Sequence, residues 1–126
     1  MRIYIQDFGE DAVLASRVEL EAFLGRRFQQ DANMFTIGLE EALRPCLTIY
    51  VKGDSAALYF LPPESGMYAS SGKGLPGGLE VFHDSPGREI EISSDAVIPW
   101  VVARSSALEF SESGVRPANV DWDWLG

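Results

Sequence analysis

Residues 46–61 read CLTIYVKGDSAALYFL, and this stretch decides the fold that the chain is expected to adopt. Two runs rich in β-branched and aromatic residues flank Gly53-Asp54, a pair that favours the two-residue loop of a β-hairpin. Pairing across that loop sets the register, which joins Lys52 to Ser55, Val51 to Ala56, Ile49 to Leu58 and Leu47 to Phe60. One face of the hairpin is then fully apolar and is directed at a core. The other face is half-polar and is expected to meet a helix edge or a partner; it carries Thr48, Tyr50, Lys52, Ser55, Ala57 and Tyr59.

Alternating apolar residues and turn signals predict further strands outside this hairpin. They are residues 1–6, 33–40, 67–69, 79–83, 88–93 and 120–124. The runs 79–83 and 88–93 form a second hairpin through Asp84-Ser85-Pro86-Gly87, a favourable turn sequence. In this hairpin Ile90 and Ile92 are expected to point inward, with Glu89 and Glu91 outward.

Two helices are predicted between the strands. Asp11 is the expected N-cap of the first, which runs to about Arg26 and turns Val13, Leu20, Phe23 and Leu24 to one side. Pro99 is the expected first residue of the second, where the missing N–H has no consequence, and Gly114 marks its end. Its apolar stripe is Trp100, Ala103, Ala107 and Phe110. Together the predicted strands and helices indicate an α+β fold, in which a single layer of two helices packs on an antiparallel sheet built mainly of hairpins.

Length and composition predict one domain over residues 1–126, because 126 residues at 46% hydrophobic content can bury a core without disulfides or metals. Cys46 is the single cysteine, so no intramolecular disulfide is expected and a reducing compartment is favoured. The short apolar run at the N-terminus does not resemble a signal peptide, and no segment has the length of a membrane-spanning helix. The expected location is the cytoplasm.

The net charge of -9 is unevenly distributed along the chain. Residues 1–53 hold 8 acidic and 6 basic residues, whereas residues 54–126 hold 11 acidic and 4 basic residues. Such a surplus disfavours direct binding to nucleic acid or to an anionic membrane, and it would draw a basic partner to the C-terminal part of the molecule. Solubility alone is an equally good explanation of the charge.

Motifs that would indicate catalysis, cofactor binding or metal binding are weak in this sequence. Residues 72–77 match G-x-G-x-x-G by letter, but Pro76 interrupts the motif and a strand follows it, so a cofactor is not expected. Cys46 and His83 are the only pair that could supply a Cys-His dyad, and they are better explained as a packed thiol and a surface histidine. No metal-ligand spacing occurs beyond the adjacent His83-Asp84. The sequence therefore predicts no enzyme, no cofactor and no metal site.

Two tryptophans in the final strand are candidates for anchors of a core or of an interface. Trp122 is expected in the core, while Trp124 fits either role because it lies near the end of the chain.

Several segments, in this order, resemble bacterial polymorphic-toxin immunity proteins of the Imm1 type. They are residues 31–35, the hairpin residues 47–54 and 58–60, residues 109–117 with Gly114 followed by Arg116-Pro117, and residues 120–122. The resemblance covers most of the chain, and its nearest relatives accompany toxins that deaminate cytosine in DNA. It implies an inhibitor held in the cytoplasm of the toxin-producing bacterium, which binds a toxin acting on nucleic acid, a deaminase in preference to a nuclease, and occludes its active site. A non-inhibitory adaptor or chaperone-like module of a secretion system is the alternative.

The toxin-binding surface is expected in variable loops, because the segments shared by the family read as structural. The loop 64–78 and the adjacent hairpins are the candidates, since a nucleic-acid-binding toxin has a basic groove that acidic side chains would attract. Plain solvent exposure is the competing explanation for each of these residues. The predicted contacts are Asp54, Glu64, Tyr68, Lys73, Glu80, His83 and Asp84.

Overall fold

The computed structural model of the protein describes residues 2–39, 44–72 and 77–126. In that part of the chain the elements are β1 (Ile3–Gln6), β2 (Asp11–Leu14), α1 (Arg17–Leu24), β3 (Ala32–Gly38), β4 (Cys46–Lys52), β5 (Ser55–Leu61), β6 (Tyr68–Ser71), β7 (Leu79–Ser85), β8 (Arg88–Ser93), β9 (Val97–Pro99), α2 (Trp100–Ser113) and β10 (Asp121–Trp124). The predicted α+β class is confirmed. The predicted strand 33–40 ends at Gly38, and Glu40 lies outside the described residues.

The main sheet is antiparallel, and its strands lie in the order β10-β6-β5-β4-β3-β1-β2, with β9 paired to the first residues of β5. Its centre is the hairpin β4–β5, whose register is the predicted one at every position named above. The turn Gly53-Asp54 adopts a positive φ of 59° at Gly53, which glycine accepts without steric conflict. Local turn chemistry therefore sets the register on which the sheet is built.

The apolar face of β4–β5 packs against the helices and forms the larger core. Leu47, Ile49 and Leu58 are fully buried, and Phe60 contacts Phe110 of α2 edge to face, with ring centroids 5.9 Å apart. Burial of a side chain of this size stabilises a fold by about 1.5–3 kcal/mol. The predicted stripe of α2 is confirmed at Ala103, Ala107 and Phe110, all fully buried, while Trp100 is half-buried.

The first helix begins later than predicted. Asp11 is not its N-cap, because residues 11–14 form β2 and pair with β1. The helix follows Ser16, whose side chain accepts a hydrogen bond from the backbone N–H of Glu19, and the Glu19 carboxylate accepts the N–H of Ala15 at 3.1 Å. Ser16 and Glu19 have the spacing of a capping box, with the Glu19 carboxylate bonded to the residue before the N-cap, and this is a stronger start signal than a lone aspartate. Val13 consequently lies on the edge strand with 59% of its surface exposed, and the helix ends at Leu24 rather than near Arg26.

The second helix also begins one residue later than predicted. Pro99 is its N-cap and the last residue of β9, so Trp100 is the first helical residue. Gly114 ends the helix as predicted, in the left-handed conformation with φ 70°.

The hairpin β7–β8 covers the half-polar face of the main sheet. Phe82 and Ile92 form a small second core with Ala57 of β5 and Ala96, against which Tyr50 and Tyr59 are partly buried. This face was expected to meet a helix edge or a partner, and that expectation is wrong because another part of the chain covers it. The turn is also shorter than predicted, since Ser85 pairs with Arg88 and leaves Pro86-Gly87 as the loop.

The hairpin runs across the sheet from the side of β6 to the side of β1. At its base the N–H of Ser94 donates to the carbonyl of Gly78 at 2.9 Å, and the Ser70 hydroxyl of β6 donates to the carbonyl of Ala96 at 2.6 Å. At its tip Pro86 lines a cleft together with Phe8 and other residues next to β1 and β3. The protein thus has three layers, which are the helices, the main sheet and the second hairpin.

Candidate protein-binding surface

The second hairpin turns one row of side chains away from the main sheet. Because Phe82 and Ile92 face the sheet, the residues that alternate with them face away. Val81 lies directly opposite Glu91, and Leu79 lies two residue pairs further toward the base, opposite Ser93. Leu79 is 62% exposed and Val81 is 39% exposed, and Glu89 and Glu91 are also exposed. The outward face of the hairpin is therefore an apolar row beside an acidic one.

Carboxylates on the other side of the molecule are neutralised by arginine. The pairs there are Arg17 with Glu21 and Glu112, and Arg104 with Glu21. Arg26 pairs with Asp7 and Glu10 close to the tip of the hairpin. In the hairpin, the described residues contain a single ion pair, Asp84 with Arg88 at 3.6 Å. Glu80, Glu89 and Glu91 take part in no salt bridge within the described residues. The hairpin thus carries three carboxylates outside any ion pair in the described residues, next to its exposed apolar row.

His83 continues the same row but is only 2% exposed, so the prediction of a surface histidine is wrong. Strand β7 lies close to β3 and β4, and the pairing of β7 with β8 becomes irregular between His83 and Ser85. Neither ring nitrogen has a hydrogen-bond partner among the described residues. A buried polar group without a partner destabilises a fold by about 1–3 kcal/mol. His83 is therefore not available for direct contact with another protein.

Asp84 and the two tyrosines beneath the hairpin form a half-buried polar layer. Tyr50 and Tyr59 meet edge to face, with ring centroids 5.8 Å apart. Burial, and next the negative charge of Asp84, raise the pKa of Tyr50, while burial and the neighbouring Tyr50 raise the pKa of Tyr59. These tyrosines hold the hairpin to the sheet rather than face a partner.

A second exposed cluster lies at the β10 edge of the sheet. Trp124 is 57% exposed and packs on Tyr68 with ring centroids 4.8 Å apart, and the Arg116 guanidinium lies 4.1 Å from the centroid of the Tyr68 ring. Gly66 allows the Trp124 ring to lie directly against the backbone. Trp122 instead packs on Phe60 and the larger core, as predicted, and its indole N–H donates to the Pro117 carbonyl at 2.8 Å.

The predicted contact residues are not gathered at one place. Asp54 is exposed at the β4–β5 turn, whereas Tyr68 pairs with Phe60 near the other end of β5, about 20 Å away along the strand, and Glu64 lies beyond that end. Glu80 lies in the row that faces the sheet and is partly covered. Lys73 lies outside the described residues, as does most of the G-x-G-x-x-G match.

Leu79, Val81, Glu89 and Glu91 are the surface residues that sequence reasoning did not select for binding. It placed the glutamates correctly as outward-facing, but did not assign them a role in binding. Strand alternation across 79–83 was the available signal, since it sets Leu79 and Val81 on the side opposite to Phe82.

The described residues offer little for catalysis. Cys46 is buried in β4, and burial raises the pKa of its thiol, which disfavours the reactive thiolate. Residues 2–39, 44–72 and 77–126 contain no group of three or more His, Cys, Asp or Glu side chains arranged to hold a metal ion. None of their helices is long and apolar enough to cross a membrane.

Comparison with known proteins agrees with the resemblance read from the sequence. The family model described as Immunity protein Imm1 matches residues 9–123. The chain is also 31% identical over 124 residues to a protein of Burkholderia cenocepacia (strain H111) named Double-stranded DNA deaminase immunity protein. That alignment covers 98% of this chain and 100% of the relative. The chain therefore belongs to the Imm1 family of immunity proteins.

Proposed function

We propose that this protein binds and inhibits a cognate bacterial toxin that acts on nucleic acid, and that a DNA deaminase is favoured over a nuclease as its target. The observation that carries the proposal is the likeness, over nearly the whole length of both chains, to a protein named as a double-stranded DNA deaminase immunity protein. Membership of the immunity-protein family supports the inhibitory role itself.

Inhibition is proposed to occur by occlusion of the toxin's active site in a tight stoichiometric complex. A toxin that binds DNA needs a basic cleft to neutralise phosphates. The unpaired carboxylates of the β7–β8 hairpin would draw such a cleft toward the inhibitor through long-range attraction. Occlusion requires only an ordered, complementary surface. The hairpin is held in a fixed position because it packs on the main sheet.

The same charge supports the choice of partners, and the inhibitory role supports a location. We place the protein in the bacterial cytoplasm, where a toxin must be held inactive before export, with no direct binding to nucleic acid or membrane. Of the residues proposed for toxin contact, Asp54, Glu64, Tyr68, Glu80 and Asp84 remain candidates, and Lys73 remains a prediction. His83 is withdrawn because it is buried.

Co-expression with the toxin encoded by the adjacent gene tests the proposal. We expect survival of cells that otherwise die, co-purification of the two proteins, and loss of uracil formation in double-stranded DNA once the inhibitor reaches a 1:1 ratio. A complex that leaves the toxin active would instead indicate the adaptor function. No complex and no rescue would show that the proposed function is wrong.

A further inference from the structure

We infer that the outward face of the β7–β8 hairpin enters the basic DNA-binding cleft of the toxin, with Leu79 and Val81 as the apolar contact and Glu89 and Glu91 as the acidic contact. This inference rests on the proposed function and names the surface that performs it. The partner is a protein cleft that is basic at its rim and apolar within.

The geometry of the ladder brings the two kinds of side chain together. Val81 is paired directly with Glu91, and side chains opposite each other in an antiparallel pair have Cβ atoms about 4.5–5.5 Å apart. Glu89 and Glu91 are two residues apart on β8, which spaces their side chains by about 7 Å along the strand. The face therefore presents an apolar stripe and an acidic stripe side by side.

The carboxylates of this face are ready to interact. Glu89 and Glu91 belong to no ion pair within the described residues, so a basic partner would not have to break an existing one. Glu21 and Glu112 of the two helices are already paired with Arg17 and Arg104, and these arginines would repel a basic cleft. Charge complementarity thus favours the hairpin over the helical side.

The face is also ordered before binding. Phe82 and Ile92, on the opposite side of the same strands, are 1% and 4% exposed and pack into the second core. The base is tied by the backbone hydrogen bond from Ser94 to Gly78. An ordered surface loses little conformational freedom when it binds, which favours affinity.

The aromatic cluster at the β10 edge is a weaker candidate for a basic partner. Trp124, Tyr68 and Arg116 have the residue types that dominate many interfaces. The Arg116 guanidinium lies over the Tyr68 ring, and its positive charge would oppose that of a DNA-binding cleft. The hairpin face carries no such cation beyond Arg88 at its turn, and Arg88 is paired with Asp84.

Two matched pairs of variants test the inference on the whole protein. Glu91→Lys and Asp11→Lys change the net charge equally, and Asp11 is an exposed carboxylate on the far edge strand β2. Val81→Ala and Val13→Ala remove the same methyl groups from exposed positions of β7 and β2. We expect Glu91→Lys to slow association with the toxin about 10-fold and Val81→Ala to speed dissociation about 5-fold, with both β2 variants within about 2-fold of the wild type.

Association and dissociation rates are measured with the toxin domain immobilised on a sensor surface. Thermal unfolding of each variant checks that it is folded. If Glu91→Lys lowers the melting temperature, Glu91→Gln replaces it and is expected to slow association about 3-fold. Wild-type protein that neither binds nor inhibits the toxin would contradict the proposed function. Wild-type inhibition combined with unchanged rates in the Glu91 and Val81 variants would overturn the inference alone.

Discussion

The imidazole of His83 is buried beside Phe82 without a hydrogen-bond partner among the described residues. We predict that His83→Leu, which has a similar volume and no polar atom, leaves the free energy of unfolding unchanged or raises it by about 1 kcal/mol. Urea denaturation at neutral pH measures the change. Phe82→Leu is the comparison variant. Its free energy of unfolding should fall by about 1–2 kcal/mol because the smaller side chain leaves space in the second core. An equal loss in both variants would mean that His83 does have a partner in solution.

Other buried polar residues show what sequence patterns miss at this scale. Asn33 is fully buried and its side-chain oxygen accepts the backbone N–H groups of Phe8 and Met34. Its amide group donates to the Asp7 carboxylate and to the Arg26 carbonyl, each at 3.0 Å. Sequence reasoning assigned Asn33 only as the start of a strand. Its partners are separated from it by up to 26 residues, and no local periodicity relates such positions.

Strand β10 depends on Gly66 for its attachment. A Cβ atom at Gly66 would lie 1.9 Å from Cη2 of Trp124, whereas a Cβ at Gly87 would meet nothing within 4 Å. Both glycines have positive φ, 87° and 77°, so alanine brings similar backbone strain of about 1 kcal/mol at each position. We predict that Gly66→Ala is the more destabilising change and alone displaces Trp124 from Tyr68. Thermal unfolding and near-ultraviolet circular dichroism measure the two effects, and equal results for both variants would contradict the prediction.

Elements with strong local signals were predicted best. The β4–β5 register follows from a two-residue turn between alternating runs, and the end of α2 follows from Gly114. Strand β9 was missed because it has only 3 residues, and β2 was missed because its residues were assigned to the first helix. Both strands exist through pairing, β9 with β5 and β2 with β1. The start of α1 was placed too early because β2 occupies the residues that follow Asp11.

Charge acts at the scale of the whole molecule. Since acidic residues outnumber basic ones 19 to 10, we predict that binding to a basic toxin is accelerated by long-range attraction. Raising the salt concentration from about 20 mM to about 500 mM should slow association by about 10- to 100-fold and change dissociation much less. Stopped-flow mixing with the toxin domain measures both rates. An association rate that is independent of salt would show that charge does not guide the encounter.

The sequence by itself determined the α+β class, the central hairpin and its register, the second hairpin and the family, because turn chemistry, side-chain alternation and motif order are all local or linear properties. Only the tertiary structure decided that β7–β8 covers the half-polar face of the sheet, that His83 is buried, and that Leu79 and Val81 lie exposed beside unpaired glutamates. Those outcomes depend on which distant segments pack together and which arginines reach which carboxylates. Such contacts are set by the folded arrangement of layers, whereas spacing along the chain fixes only that Leu79 and Val81 lie on the side of β7 opposite to Phe82.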